Sequence, residues 1–278
     1  MSLLELKRAA ARALDVLGAT STVYRSTALL SYWRNHRLVE ANRALRAHPP
    51  GGVALPDPTL AFLVTGSFDL EFFHHNGAVG AASIREILAS QQRSIESFPT
   101  MLDFGCGCGR VLRHWQSLEG PRVCGSDYNP RLVDWCRANL TRFDIGLNRL
   151  HPPMSAESES FDFIYTISTF THWTEPLQLE WLTEFRRILK PGGLLLLTTH
   201  GATRLHEMRH EDRLRYDAGN CVVRWARYQG ENFCVTYHPE AYVRRVFGSV
   251  LDLVAYFPGG AKDANQDAYL MSKPAGMH

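Results

Sequence analysis

Between Leu102 and Arg110 the chain reads Leu-Asp-Phe-Gly-Cys-Gly-Cys-Gly-Arg, with three glycines at alternate positions straight after a short apolar run, Met101–Phe104. Glycine has no Cβ, so it takes up positive φ without strain and lets another group approach the backbone. Gly105, Gly107 and Gly109 therefore mark a tight turn leaving a strand. A helix is expected to follow over Arg110–Leu118, and the free amides at such a helix start favour an anionic group. A second apolar run, Arg122–Gly125, leads into Ser126-Asp127-Tyr128, and Asp127 lies 18 residues beyond Gly109. That is close to the offset of about 20 residues at which a carboxylate accepts from two ribose hydroxyls in a doubly wound fold. Together the turn and the carboxylate imply a cofactor of adenosyl type.

The surrounding pattern supports such a fold. Apolar runs at Met101–Phe104, Arg122–Gly125, Phe161–Ile167 and Gly193–Thr199 alternate with helical stretches at Arg110–Leu118, Arg131–Leu140 and Pro176–Leu189. Strands that alternate with helices build an α/β, doubly wound, mostly parallel sheet. Ser83–Ser97 reads as a helix ahead of this core. After it, Cys221–Tyr228 and Asn232–Tyr237 flank Gln229-Gly-Glu as a hairpin, followed by a helix at Ala241–Phe247 and strands at Val250–Phe257 and Gln266–Ser272. Ligands in open sheets of this kind sit at the carboxyl ends of the strands, where the winding reverses.

A dinucleotide site calls for Gly-x-Gly-x-x-Gly, whose third glycine allows close helix–strand packing. Counted from Gly105, that place is held by Arg110. Leu102–Arg110, Gly125–Asn129, Phe161–Ile167 and Leu189-Lys-Pro-Gly-Gly-Leu instead resemble, in order, the successive motifs of class I S-adenosylmethionine-dependent methyltransferases. The resemblance covers about residues 98–200 and implies a Rossmann-like sheet of seven strands whose last strand, here Gln266–Ser272, is antiparallel. It further implies that Gly105, Cys106 and Gly107, with Gly109 completing the loop, meet the methionine part of the cofactor. By the same resemblance Asp127 holds the ribose, Tyr128 packs on the adenine, Asn148–Leu150 meets the adenine edge, and Ile167-Ser168 lies beneath the sulfonium. Thr65-Gly66, ahead of Phe72-Phe73-His74-His75, falls where such enzymes carry a cap over the cofactor, although Phe62–Phe73 also reads as an ordinary hydrophobic helix.

The first fifty residues carry eight basic and three acidic side chains, a balance of +5, whereas the whole chain of 278 residues sums to only +2. Leu3, Leu6, Ala10, Ala13, Leu14 and Leu17 recur at helical spacing, as do Leu29, Trp33, His36 and Val39, so this arm reads as two helices broken near Gly18. Such helices suit packing on the chain's own core or on a second copy in a homo-oligomer. The near-neutral remainder, without basic stretches interleaved with aromatics, argues against nucleic acid as a partner. The apolar runs, Leu194–Leu197 among them, are far from the ~20 residues that span a bilayer. Six cysteines without a Cys-x-x-Cys pair read as reduced thiols of a cytoplasmic protein.

A methyl acceptor would approach at the ends of the fourth and fifth strands, where His172 and His200 lie, and an imidazole suits deprotonating a hydroxyl. The fourth strand ends Tyr-Thr-Ile-Ser, without the Asn/Asp-Pro-Pro-aromatic signature that grips amino groups, and no cluster of carboxylates suggests a metal. The expectation is methyl transfer to a hydroxyl oxygen of a small molecule or glycan. N-methylation, an NAD(P)-dependent oxidoreductase and a non-catalytic cofactor-binding assembly protein remain as rivals. The expected organisation is a helical arm and lid over residues 1–97 and a cofactor-binding domain over 98–278, with an insertion at about 202–238.

Overall fold

The computed structural model describes residues 20–275. Seven strands form one sheet: β1 (Thr100–Phe104), β2 (Arg122–Asp127), β3 (Asp144–Leu147), β4 (Phe161–Thr166), β5 (Leu189–Thr199), β8 (Asp252–Ala261) and β9 (Gln266–Ser272). The spatial order is β3-β2-β1-β4-β5-β9-β8. The first five are parallel, and β9 runs antiparallel to both β5 and β8, as expected for Gln266–Ser272. Both faces of the sheet are covered, so its central strands are apolar on both sides. Met101, Phe163, Leu194 and Leu196 join one buried cluster, whereas Leu102, Ile164, Leu195 and Leu197 join the other. The uninterrupted leucine run in β5 is this alternation of a doubly covered strand.

On the first face lie the long helix over Leu70–Ser90 and the helix over Pro130–Asn139; on the second lie those over Glu175–Ile188 and Glu240–Val246. Among the described residues, four helices precede the sheet: α1 (Thr20–Arg34), α2 (His36–Ala47), α3 (Pro58–Thr65) and α4 (Leu70–Ser90). The others are α5 (Pro130–Asn139), α6 (Glu175–Ile188), α7 (His210–Asp217) and α8 (Glu240–Val246). Among the described residues, no helix is long and apolar enough to cross a membrane.

Four local expectations change. The helix pattern of Leu3–Leu17 and the break at Gly18 lie outside the described residues. The second arm helix divides at Asn35, whose side chain accepts from Leu38 N and so starts α2 afresh. The hydrophobic stretch at Phe62–Phe73 is two helices, parted where Gly66 takes φ 71° at the end of α3 and Asp69 caps α4. The helix expected at Ser83–Ser97 starts much earlier and ends at Ser90. Gly77 and Gly80 weaken its helical pattern, but a Cβ at Gly77 would overlap the Arg110 carbonyl, so close packing on the glycine turn calls for glycine there. Finally, Arg110–Leu118 forms only a short 3-10 turn, Leu112–Trp115, in place of a full helix.

The segment between β5 and α8 contributes α7 and a small separate hairpin, β6 (Val222–Arg224) with β7 (Val235–Tyr237). Its connecting residues fold back over the carboxyl ends of β2 and β4.

Candidate active site

The strand order reverses between β1 and β4, which leaves a crevice at their carboxyl ends. A cavity of about 1280 Å³ opens there. Thr65, Gly66, Gly105, Cys106, Gly107, Asp127, Tyr128, Asn148, Leu150, Ile167, Ser168, His172 and His200 all line it, though they come from seven separate segments. Gly109 does not line it. A Cβ at Gly109 would run into Leu140, so this glycine serves the packing of the turn on α5.

The turn is held by its own hydrogen bonds. Gly105 N and Cys106 N both donate to Ser126 O, at 2.8 and 2.9 Å, and Gly109 N donates to Cys106 O. Gly107 N donates to Asp127 Oδ2 at 3.0 Å. These amides are therefore already engaged, and the helix start expected to favour an anion is replaced by a short 3-10 turn. Gly105 and Gly107 are at φ 74° and 58°, and a Cβ on them would meet Thr169 Oγ1 at 2.6 Å and Val64 Cγ2 at 2.7 Å. Protein atoms, rather than open cavity, occupy the space that glycine leaves free.

Asp127 ends β2 with Oδ1 accepting from Asn129 N at 2.8 Å and Oδ2 from Gly107 N. A carboxylate has about four lone-pair sites, so Asp127, which lines the cavity, keeps acceptor capacity beyond its backbone donors. Burial pushes its pKa up, against the backbone donors that hold it down. Asp103, which the sequence reading passed over, is a second buried carboxyl at the cavity floor. Trp115 Nε1 donates to the Tyr165 hydroxyl at 2.8 Å, and Tyr165 hydrogen-bonds Asp103 in turn. Asp103 Oδ2 has no partner. Burial pushes this carboxyl to about 7, against Tyr165 and Arg110, which favour its ionised form. An aspartate inside an otherwise apolar strand was the available signal. Cys106 turns its thiol inward beside Cys136, and that neighbour and burial keep it protonated.

Beyond Asp103 the cavity is lined by the ends of β4, β5 and β9. Ser168 stands in the left-handed region at φ 62°, which is strained for a non-glycine residue. Its N–H donates to Thr198 Oγ1 at 2.8 Å. The Thr198 hydroxyl, having accepted there, donates onward to Gln266 Oε1 at 2.6 Å, and Ser168 Oγ reaches the same oxygen at 3.2 Å. This chain fixes the Gln266 amide oxygen toward the hydroxyls, on a residue that itself lines the cavity.

The two histidines differ. His172 Nδ1 lies 2.7 Å from Cys234 O. A carbonyl only accepts, so Nδ1 carries the proton and Nε2 keeps its lone pair. Burial lowers the His172 pKa, opposed by that carbonyl. His200, 6.5 Å away between ring centroids, is pushed down to about 2 by burial and then by its neighbours His172, Arg204 and His238. It stays neutral, and its Nδ1 has no partner.

The roof comes from α1, α3 and the strap Gln229–Phe233 between β6 and β7. Val64 sits on Gly107. Thr65 turns its hydroxyl to Ala61 O and Ser67, capping α3. The Tyr128 hydroxyl spans the cavity rim to donate to Gly230 O at 2.6 Å.

These groups suit S-adenosylmethionine. Asp127 offers acceptors for a pair of hydroxyls, Asn148 Oδ1 and Asp103 Oδ2 are buried without partners, and Leu132 and Leu150 provide apolar walls. Residues 102–197 match the family profile described as a methyltransferase domain. A ubiquinone biosynthesis O-methyltransferase of Cereibacter sphaeroides is 30% identical over 102 residues, which are 36% of this chain and 40% of that one. A malonyl-(acyl-carrier protein) O-methyltransferase of Yersinia pestis is 31% identical over 109 residues, 39% of each chain. The chain thus spans about two fifths of the length of these curated relatives. Among solved structures, a Burkholderia thailandensis 1,6-didemethyltoxoflavin-N1-methyltransferase with bound S-adenosylhomocysteine superposes with a TM-score of 0.54 at 14% identity, covering 85% of this chain and 90% of that one. A putative methyltransferase of Haloferax volcanii gives 0.54 at 17%, covering 78% and 96%. Residues 102–197 thus match a methyltransferase domain, on the doubly wound fold that these solved methyltransferases share.

Proposed function

We propose that the protein transfers a methyl group from S-adenosylmethionine to a hydroxyl oxygen of a small molecule or sugar. The observation that carries this reading is His172: with Nδ1 donating to Cys234 O, its Nε2 is an unprotonated base on the cavity wall. When bound, S-adenosylmethionine supplies an electrophilic methyl and a neutral thioether as leaving group. Asp127 accepts from the ribose hydroxyls, Tyr128 and Leu150 enclose the adenine beside Asn148, and Gly105–Gly107 flank the methionine portion near Asp103 and Ser168. Gln266 orients the acceptor through its amide NH2. His172 Nε2 takes the acceptor's proton, and the Cys234 carbonyl stabilises the imidazolium that forms. His200, too weak a base for that step, accepts a hydrogen bond. Residues 1–97 serve as arm and lid, and residues 98–278 as the cofactor domain, with the insertion at about 202–238 completing the acceptor wall. The curated relatives bear O-methyltransferase names, which supports oxygen over nitrogen.

Calorimetry with S-adenosylhomocysteine, set against NAD(P), tests the cofactor, and turnover across panels of hydroxylated and amino compounds tests the atom methylated. On a hydroxyl acceptor, His172→Gln should lower kcat by about 10²–10⁴, the weight of a positioned base, with unchanged S-adenosylhomocysteine affinity. The acid limb of the wild-type kcat profile should fall below the ordinary histidine value of 6.5, because burial disfavours the charged ring. Full turnover by the variant would remove His172 from the chemistry.

A further inference from the structure

The strap Gln229–Phe233 touches four of the segments that border the cavity. Gly230 N donates to His172 O at 2.8 Å, and Gly230 O accepts from the Tyr128 hydroxyl. Glu231 pairs with Arg25 of α1 at 2.7 Å, and Asn232 Nδ2 donates to Leu63 O of α3 at 3.0 Å. Phe233 meets the Tyr24 ring edge-on at 5.2 Å. The strap then turns directly into Cys234, whose N–H donates to Glu231 O and whose carbonyl holds His172 Nδ1. One short segment therefore closes the roof at its outer end and grips His172 at its inner end, by both main chain and ring.

We infer that closure of this strap over the cofactor site is what positions His172: the Gly230 amide holds its main-chain carbonyl and the Cys234 carbonyl fixes the Nδ1–H tautomer, so the base is fully set only on the closed site. This rests on the reading of His172 as the base. The outer contacts suit a gate. Arg25 and Glu231 are 44% and 35% exposed, so water and salt compete for the pair. The inner contact is more enclosed and selective, since Cys234 is fully buried and its carbonyl can only accept, which calls for a proton on Nδ1. With the strap open, the ring loses the acceptor that selects Nδ1–H, and the two tautomers become close in energy. Cofactor admission and alignment of the base are then one event, and Nε2 is only partly available as a proton acceptor while the site stands open to solvent.

The test is 15N NMR of the full chain labelled at histidine, with His172→Gln used to assign the resonance, alongside the dissociation rate of S-adenosylhomocysteine. Glu231→Arg sets two cations against each other at the outer clasp, and Arg25→Glu with Glu231→Arg restores the pair in reverse. The single variant should release S-adenosylhomocysteine about fivefold faster, the upper weight of an exposed ion pair, and should shift His172 from pure Nδ1–H toward a tautomer mixture. The double variant should recover both. Faster release with His172 still fixed as Nδ1–H overturns the coupling, and so does a tautomer mixture in the wild-type complex. If S-adenosylhomocysteine does not bind at all, the cofactor reading fails, while the tautomer comparison in the free protein still decides the coupling.

Discussion

Asp103 shows how one carboxyl can report on the occupant of its cavity. It is fully buried with one oxygen unpaired, and burial pushes its pKa from 3.8 to about 7. Between those values the folded protein holds a proton that the unfolded chain has released, so stability falls as pH rises from about 4 to 7 and levels off above. The proposed ligand carries an ammonium beside Gly105–Gly107, and a nearby cation favours the ionised carboxylate. S-adenosylhomocysteine should therefore release a proton on binding near pH 6, and its affinity should rise with pH by at most about tenfold per unit below 7, then flatten. Calorimetry in buffers of different ionisation enthalpy measures this directly, and Asp103→Asn should abolish both effects. A pH-independent affinity in the wild type would place the ammonium elsewhere. Asp127 was legible in the sequence because its role depends on an offset along the chain. The state of Asp103 was not, because Trp115, Tyr165 and Arg110 reach it only through the fold.

Elements were legible where a pattern is closed within the element itself. The leucines of β5 and the capped helix Pro130–Asn139 need no distant partner to be recognised. The lid was harder, because its shape depends on one side chain from another helix. Asn42 of α2 is buried; its Nδ2 donates to Phe68 O at 2.7 Å and its Oδ1 accepts from Leu70 N at 3.0 Å. It thereby fixes the turn that parts α3 from α4, beneath the stack of Phe68 on Phe62 and Tyr32. Asn42→Ala leaves a buried carbonyl and amide unpaired, which costs about 1–3 kcal/mol for each group so exposed to an apolar surround. Thermal unfolding should shift down by several degrees. Because α3 carries Val64 onto Gly107, the variant should also weaken S-adenosylhomocysteine binding, even though Asn42 does not line the cavity. An unchanged melting temperature would show that solvent reaches the turn.

At the scale of the whole molecule, the lid, the glycine turn and the far edge of the sheet meet at one buried ion pair. Arg110 Nη1 lies 2.7 Å from Asp263 Oδ2, with side-chain exposures of 10% and 0%. It also donates to Asn76 Oδ1 of α4 at 2.7 Å, and Asn76 Nδ2 donates to Asp263 O. Asp263 sits in the turn between β8 and β9, 153 residues from Arg110, so no local pattern could reveal the pair. In the sequence Arg110 stood out only as the residue where a dinucleotide motif would have glycine. The fold supplies its reason: a side chain there ties α4 and the antiparallel edge to the cofactor turn, which a third glycine could not do. Removing one partner of such a pair strands a buried charge, worth about 3–5 kcal/mol, whereas replacing both by apolar groups is often neutral. Asp263→Ala should therefore lower the melting temperature strongly, and Arg110→Met with Asp263→Leu should recover most of the loss. Arg110 also favours the ionised form of Asp103. Even where the double variant regains stability, its Asp103 should titrate higher, and the pH at which S-adenosylhomocysteine affinity levels off should move up with it. Recovery of stability without that displacement would separate the structural role of Arg110 from any influence on the cofactor site.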